Sequence, residues 1–224
     1  MHFYLWLMEK EFWINRWKEN QIGFHQMKAN PYLIKYLDQL KTSGSHVFFP
    51  LCGKSGDMIY AAEHGFTVSG VELSSIACDA FFKENKIDVR IKIEDSFAVY
   101  RGGPFTIYCG DFFHLSESNM ANISSVFDRA SLIALPSEMR RKYASHMTSI
   151  LPANSEILLV TMEYPKGEMN GPPFSVSSEE VFSLYESTHD IKMLEEIDAM
   201  AENPNLKDRG VTSMYDRVFL LTEK

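Results

Sequence analysis

Residues 46–72 read HVFFPLCGKSGDMIYAAEHGFTVSGVE. The apolar run 46–50 predicts a buried strand, and Gly53 and Gly56 predict a tight turn that leads into a short helix. Gly65 is typical of the end of that helix, and residues 66–72 predict a second strand. A strand, a glycine turn, a helix and a strand form the first half of a doubly wound α/β domain, in which ligands bind outside the carboxyl ends of the strands.

The rest of the chain continues the alternation of strand-like and helix-like segments, which indicates βαβ units and a mostly parallel sheet. We expect an α/β, Rossmann-like domain over 1–224: a doubly wound seven-stranded sheet with helices on both faces. Residues 1–45 form its N-terminal helical cover, and residues 46–224 form its α/β core. Further strands are predicted at 105–109, 125–130, 156–162, 192–197 and 213–222, a hairpin insert at 87–101, and a polar, mobile segment at 203–210.

The composition narrows the class of protein. The 224 residues carry a formal net charge of -8, which repels phosphate backbones, so we expect no nucleic-acid partner. No apolar run approaches the roughly 20 residues of a membrane span, so we expect no membrane partner and a cytoplasmic location. Cys52, Cys78 and Cys109 are interpreted as reduced, buried thiols. We expect no metal, and a monomer, because no coiled-coil pattern is present.

Glu72 ends the second strand, 19 residues after Gly53. That interval is close to the roughly 20 residues that separate the glycine turn from the acidic residue that binds a ribose diol. A Walker A loop is excluded because Phe48 stands where its first glycine belongs, and a full Gly-x-Gly-x-x-Gly is absent. The turn therefore lacks the glycines that usually bind pyrophosphate, which favours an adenosyl cofactor over a dinucleotide. The alternatives are a structural turn at Gly53 and an ordinary surface carboxylate at Glu72.

Charged or aromatic residues also follow two later strands. After the predicted strand 105–109, Asp111 is placed to accept from an adenine amino group and Phe112 to pack on the ring; the alternative is a capped turn over an apolar cluster. Arg129 lies at the end of the predicted strand 125–130. Its planar guanidinium is placed to bind the carboxylate of a cofactor or to face a substrate. The alternative for Arg129 is a surface ion pair with Asp128 or a glutamate.

Aromatic residues and a rigid loop suggest walls for a pocket. Trp13 and Trp17 lie four residues apart, so they share one face of a predicted helix. This helix is placed to cover the open end of the sheet, and the alternative is that the two rings pack in the core. Phe174 follows Gly171-Pro172-Pro173 in a rigid apolar segment that lines a substrate pocket or forms a plain turn. Arg209 is a candidate substrate contact in the polar segment.

Taken in order, FWINRW, IGFH, FFPLCGKSGDM, GVELS, FDRASL, GPPFSV and FLLTEK resemble the thiopurine S-methyltransferase family, particularly its bacterial members. The resemblance runs from Phe12 to the C-terminus and is weak only over 200–212. It implies a class I methyltransferase sheet and S-adenosylmethionine as the cofactor, with an N-terminal helix closing over it. By this resemblance Trp17, Leu51, Glu72 and Arg129 contact the cofactor, and Trp13, Phe24, Asp111 and Phe112 lie around it or the substrate.

The predicted reaction is methyl transfer from S-adenosylmethionine to the sulfur of an aromatic or heterocyclic thiol, which leaves S-adenosylhomocysteine. Arg129 and Arg209 would favour the thiolate, and the slot for a small aromatic ring would be lined by Trp13, Trp17, Phe24 and Phe174. Selenium, tellurium or small sulfur species are alternative acceptors. An NAD(P)-dependent oxidoreductase and a non-catalytic module that binds an adenosyl ligand are alternatives of a different class.

Overall fold

The computed structural model describes the backbone of residues 2–40 and 45–224, and the side chains of residues 10–40 and 45–224. The chain divides into two compact units. The first unit consists of Met1–Lys35 and Ser45–Leu115, and the second consists of Tyr36–Gly44 and Ser116–Lys224.

The first unit contains five strands in the order β3-β4-β5-β2-β1. Strands β1, β2 and β5 are parallel, whereas β3 and β4 form an antiparallel hairpin whose second strand also pairs antiparallel with β5. The hairpin confirms the insert predicted at 87–101. The elements are α1 (His2–Lys18), α2 (Pro31–Leu40, which ends in the second unit), β1 (His46–Phe49), α3 (Gly56–Glu63), β2 (Thr67–Glu72), α4 (Ser75–Glu84), β3 (Arg90–Glu94), β4 (Phe97–Gly102), β5 (Phe105–Cys109) and a 3-10 helix (Phe112–His114).

Local chemistry explains how β1 connects to β2. The Ser55 side chain caps α3 by accepting from the Asp57 N–H, and the buried Asp57 carboxylate accepts from the Asn30 N–H at 2.6 Å. This bond ties the residue before α2 to the first turn of α3. Gly65 then leaves the helix with a φ of 90°, and the apolar positions of β2 are buried on both faces, as is usual in a parallel sheet.

The second unit contains four strands in the order β6-β7-β9-β8. Strands β6 and β7 are parallel, and β9 pairs antiparallel with both β7 and β8. Its elements are α5 (Glu117–Met120), β6 (Ser125–Arg129), a 3-10 helix (Leu132–Ala134), α6 (Ser137–Ile150), β7 (Glu156–Glu163), α7 (Ser178–Tyr185), β8 (His189–Asp198), α8 (Pro204–Asp208) and β9 (Tyr215–Glu223).

The structure corrects two expectations. The described residues form nine strands rather than seven, because the β3–β4 hairpin adds two strands to the seven core strands. The segment 203–210, expected to be polar and mobile, contains α8. Pro204 begins this helix, and Leu206, 2% exposed, packs in a cluster with Val211 and Met214.

No helix in the described part of the chain is both long and apolar enough to cross a bilayer.

Candidate cofactor site and active site

The turn after β1 has an unusual backbone. Leu51 has a φ of 44° and Gly53 a φ of 53°. A residue with a Cβ pays about 1–2 kcal/mol for this left-handed conformation, so the surrounding structure must impose it. The Cys52 N–H donates to the Val71 carbonyl at 2.9 Å, which fixes the turn to β2. The backbone of the turn is therefore held at the carboxyl ends of β1 and β2.

Glu72 is buried, with 7% of its surface exposed, so it is not an ordinary surface carboxylate. Its Oε2 accepts from the Gly53 N–H at 2.8 Å, and its Oε1 accepts from the Ser74 N–H at 2.7 Å. Burial raises the pKa of Glu72 to about 7, although the N–H groups of Ser74, Gly53 and Leu73 oppose the shift. An ionised carboxylate has about four acceptor positions, so these donors orient it and leave capacity for a ligand hydroxyl.

An aromatic cluster stands on the glycine turn. The rings of Trp13 and Trp17 each meet Phe24 edge to face, with centroids 5.4 Å and 5.7 Å away. A Cβ added to Gly53 would lie 3.2 Å from Cζ2 of Trp17. The structure thus brings Trp13, Trp17, Phe24, Gly53 and Glu72 together in the first unit, and the pairing of Trp13 and Trp17 on one face of α1 is observed. Phe24 is 42% exposed, so the cluster also has an open edge.

Asp111 and Phe112 lie beside the same strand ends. The Gly110 N–H donates to the Glu72 carbonyl at 2.8 Å, which joins the end of β5 to the end of β2. Asp111 caps the 3-10 helix by accepting from the Phe113 N–H at 3.0 Å, and it forms an ion pair with Lys10 of α1. The predicted alternative of a capped turn therefore describes the geometry of Asp111. Phe112 is 3% exposed.

The sequence did not point to Lys10 as the partner of Asp111. The two residues are 101 positions apart, and Lys10 lies in a segment without a motif. Only the carboxylate in an otherwise apolar segment indicated that a partner was needed.

All three cysteines are free thiols; Cys52 and Cys78 are buried as expected, whereas Cys109 is only half-buried. Burial, followed by the charge of Glu72, raises the pKa of Cys52 well above its ordinary value. A hydrogen bond between the thiols of Cys78 and Cys109 raises the pKa of Cys78 and lowers that of Cys109. Within the described residues, no group of three histidine, cysteine, aspartate or glutamate side chains is arranged to hold a metal ion.

In the second unit, Arg129 is the last residue of β6 and is half-buried. Ala130 follows it with a φ of 66°, so the chain turns sharply at the carboxyl end of the strand. The neighbouring Asp128 is 1% exposed, and its Oδ2 accepts from the Tyr143 hydroxyl at 2.8 Å. Burial raises the pKa of Asp128 to about 6.

The loop that carries Phe174 is also fixed within the second unit. The Phe174 N–H donates to the Ile133 carbonyl at 2.6 Å, and Nη1 of Arg209 donates to the Pro172 carbonyl at 3.4 Å. The peptide bonds before Pro172 and Pro173 are both cis. Phe174 and Arg209 are therefore brought to one loop, whereas Arg129 belongs to a separate strand end of that unit.

Comparison with solved structures defines the class of protein. A 1,6-didemethyltoxoflavin-N1-methyltransferase from Burkholderia thailandensis, solved with 1,6-didemethyltoxoflavin and S-adenosylhomocysteine, is similar with a TM-score of 0.66. The similarity covers 100% of this chain and 90% of that chain, at 13% sequence identity. The fold is that of a class I S-adenosylmethionine-dependent methyltransferase.

Sequence comparison defines the family. Residues 8–224 match the sequence profile of the family described as thiopurine S-methyltransferase. A thiopurine S-methyltransferase of Nitrosospira multiformis is 46% identical over 215 residues, which are 96% of this chain and 98% of the relative. One of Marinobacter nauticus is 42% identical over 219 residues, covering 97% and 100%. The chain belongs to the thiopurine S-methyltransferase family and is a methyltransferase, as the sequence motifs predicted.

Proposed function

We propose that this enzyme transfers the methyl group of S-adenosylmethionine to the sulfur of an aromatic or heterocyclic thiol and releases S-adenosylhomocysteine. The observation that carries the proposal is the buried carboxylate of Glu72, which the Gly53 N–H orients at 2.8 Å in a glycine turn covered by Trp17. Membership of the thiopurine S-methyltransferase family supports a methyltransferase over a nicotinamide oxidoreductase or a non-catalytic binding module.

The residues of the first unit fit an adenosyl cofactor. Glu72 would accept hydrogen bonds from the two ribose hydroxyls, because its carboxylate is oriented and has acceptor positions left. Gly53 leaves no Cβ between the turn and Trp17. Leu51, whose backbone the turn holds at positive φ, would contact the cofactor from the strand end. Phe112 would contact the adenine, with Asp111 holding the end of β5 in place.

When bound, S-adenosylmethionine supplies a methyl carbon that its positively charged sulfur makes electrophilic. The thiolate sulfur of the acceptor would take this methyl group directly, and S-adenosylhomocysteine would leave with the electron pair of the broken carbon–sulfur bond, so no covalent enzyme intermediate is needed. The protein has to align the thiolate with the methyl group and exclude water.

The acceptor would be held by apolar rings and by cations. In the first unit, Phe24, which is 42% exposed, and Trp13 offer apolar surfaces for a flat ring, and in the second unit Phe174 offers another. Arg129 is proposed to bind the cofactor carboxylate and to orient the thiolate. Arg209, which contacts the Phe174 loop through Pro172, would add a second positive charge that favours the ionised sulfur.

The direct test supplies purified enzyme and S-adenosylmethionine with a heterocyclic thiol, and with the same ring bearing a hydroxyl group instead as the matched control. We expect S-adenosylhomocysteine to form with the thiol and the methyl group to be found on sulfur by mass spectrometry. Methylation of the hydroxyl analogue at an equal rate would contradict the proposed acceptor class.

A second comparison addresses the alternative acceptors. Selenols, tellurite and small aliphatic thiols are assayed beside the aromatic thiol, and kcat/KM is compared. We expect the aromatic thiol to be preferred because the proposed slot is built from rings. A higher kcat/KM for a small inorganic acceptor would overturn the aromatic preference and leave the methyltransferase assignment intact.

A further inference from the structure

A cavity of about 620 Å³ lies within the second unit, at the carboxyl end of β7 and the start of β9, and we call it the α6–α7 cavity. Glu163 and Tyr215 are opposite each other in the β7–β9 ladder, and both line it. Its volume lies within the range of small-molecule sites. The lining includes Arg140, Tyr164, Lys166, Phe174 and Arg217, together with Ser137 at the start of α6.

Arg140 lines the cavity and is only 4% exposed. Its Nε donates to the Leu135 carbonyl at 3.0 Å, and its Nη1 donates to the Ser175 carbonyl at 3.0 Å and to the Glu180 carboxylate at 2.7 Å. Its Nη2 donates a hydrogen bond to no acceptor among the described residues. The Nη2 of Arg140 is therefore a donor that a ligand or water in the cavity can use.

Arg217 repeats this arrangement on β9. Its Nε donates to Glu196 at 2.7 Å, and its Nη1 is paired with Glu163, whereas Nη2 has no acceptor in the part of the chain that is described. Lys166, which also lines the cavity, is exposed and forms no ion pair with any described residue. Three cationic side chains therefore face this space, each with a hydrogen-bond donor that no described residue uses.

The carboxylates in the wall do not neutralise these donors. Glu163 and Glu180 also line the cavity, but Arg217 and Arg140 already engage them through other nitrogen atoms. Helix α6 adds to the positive potential, because its N-terminus at Ser137 faces the cavity without a side-chain cap. The lining has three positive and two negative side chains, and Glu196 pairs with Arg217 from outside the lining, so the attraction for an anion comes from the unused donors rather than from excess charge.

We propose that the α6–α7 cavity is a second ligand site, which binds a small organic anion through Nη2 of Arg140, Nη2 of Arg217 and the Lys166 ammonium. The anionic group is a carboxylate or a phosphate monoester, since both present oxygen atoms at the spacing that arginine donors match. Tyr164, Phe174 and Met169 provide an apolar wall for the carbon part of the ligand. The site is additional to the proposed methyl-transfer reaction: its anion-binding residues are not among those proposed to hold the cofactor or the acceptor, and the two share only the wall residue Phe174.

The probes for the test are inorganic phosphate and succinate, each titrated at constant ionic strength against sodium chloride into the full chain saturated with S-adenosylhomocysteine. Isothermal calorimetry measures the affinity, and the Nε–H signal of Arg140 in nitrogen-15 NMR reports the site. We expect saturable binding of one anion per chain with a shift of that signal. Binding of phosphate alone assigns a phosphate ester, and binding of succinate alone assigns a carboxylate.

Variants make the test specific. R140K and R217K keep the positive charge and remove the Nη2 donor, and each should weaken binding by about tenfold or more. R101K is the matched control, because Arg101 forms an exposed pair with Glu94 in the first unit. If circular dichroism shows that R140K does not fold, R217K and the exposed K166Q decide the question.

The proposal is overturned if neither anion binds saturably, or if the folded variants R217K and K166Q bind as tightly as the wild type. Equal weakening in R101K would also overturn it, because it would mean that the anions respond to overall charge rather than to this cavity.

Discussion

The carboxylate of Glu72 is buried and fixed by backbone donors before any ligand arrives. Burial outweighs the N–H groups of Gly53 and Ser74, so the pKa rises to about 7. In the free protein this side chain therefore keeps its proton to a higher pH than an ordinary glutamate does. Ribose hydroxyls donating to the carboxylate would favour its ionised form, which couples cofactor binding to proton release.

We expect S-adenosylhomocysteine binding near pH 6 to release roughly one proton per molecule, because Glu72 is mostly protonated there when its pKa is about 7. Calorimetry in buffers of different ionisation enthalpy measures the proton count. Glu72→Gln should abolish the release and weaken binding by about tenfold or more. Glu84→Gln, at an exposed ion pair with Lys54, is the control. A wild-type enzyme that binds without releasing a proton would contradict the ribose role.

Alanine substitutions at Gly53 and Gly65 distinguish the effect of backbone strain from the effect of contact with helix α1. Both have positive φ, but a Cβ on Gly53 would meet Trp17 at 3.2 Å, and a Cβ on Gly65 would meet nothing within 4 Å. We expect Gly53→Ala and Gly65→Ala each to lose about 1 kcal/mol of unfolding free energy, measured by urea denaturation. Only Gly53→Ala should also weaken S-adenosylhomocysteine binding. Equal affinities for the two variants would remove Gly53 from the cofactor site.

At the scale of elements, the sequence predicted the strands whose apolar runs are continuous. The strands β1, β5, β6 and β7 begin and end within about one residue of the prediction, because they are apolar runs bounded by glycine, proline or polar residues. Helix α8 was missed because only Leu206 in that segment is buried, and one residue creates no periodic pattern.

The candidate site was predictable where a spacing rule exists. The interval from Gly53 to Glu72 pointed to the observed hydrogen bond, because strand ends and glycine turns meet at one edge of a parallel sheet. The pairing of Lys10 with Asp111 and the unmatched donors of Arg140 depend on how distant segments pack, which no local pattern encodes.

The ion pair of Lys10 with Asp111 should hold α1 in place. Asp111 is 9% exposed and Lys10 27%, so the pair is partly shielded from water and worth about 1 kcal/mol. Lys10→Met should therefore increase amide hydrogen exchange in the second half of α1, around Trp13 and Trp17, by about fivefold. Lys18→Met, on the exposed part of the same helix, is the control. Unchanged exchange in Lys10→Met would show that aromatic packing alone holds the helix.

Each unit of the molecule has a buried carboxylate at or next to the carboxyl end of a strand whose pKa burial raises. Glu72 ends β2 in the first unit, and Asp128 lies in β6 of the second, bonded to the Tyr143 hydroxyl at 2.8 Å. Burial raises the pKa to about 7 for Glu72 and to about 6 for Asp128. Such groups are more costly to the fold when ionised than when protonated, so they connect the site to the stability of the whole chain.

Stability should fall as these carboxylates ionise. Both folded pKa values lie above those of the unfolded chain, so the folded state binds more protons between about pH 4 and pH 7. The contribution of Glu72 to the unfolding free energy is therefore full below its unfolded pKa, declines as the pH rises to about 7, and is lost above it. The shift from 4.5 to about 7 corresponds to about 3 kcal/mol.

Glu72→Gln has no proton to lose, so its unfolding free energy should gain about 3 kcal/mol relative to the wild type between about pH 5 and pH 8. Urea denaturation of the ligand-free chain at the two pH values measures this difference. Asp128→Asn should show a smaller gain over the same interval, about 1–2 kcal/mol, because part of the shift of the Asp128 pKa from 3.8 to about 6 acts below pH 5. If the stability difference between Glu72→Gln and the wild type is the same at both pH values, Glu72 is ionised throughout, and the ligand-free site does not carry the strain that its burial implies.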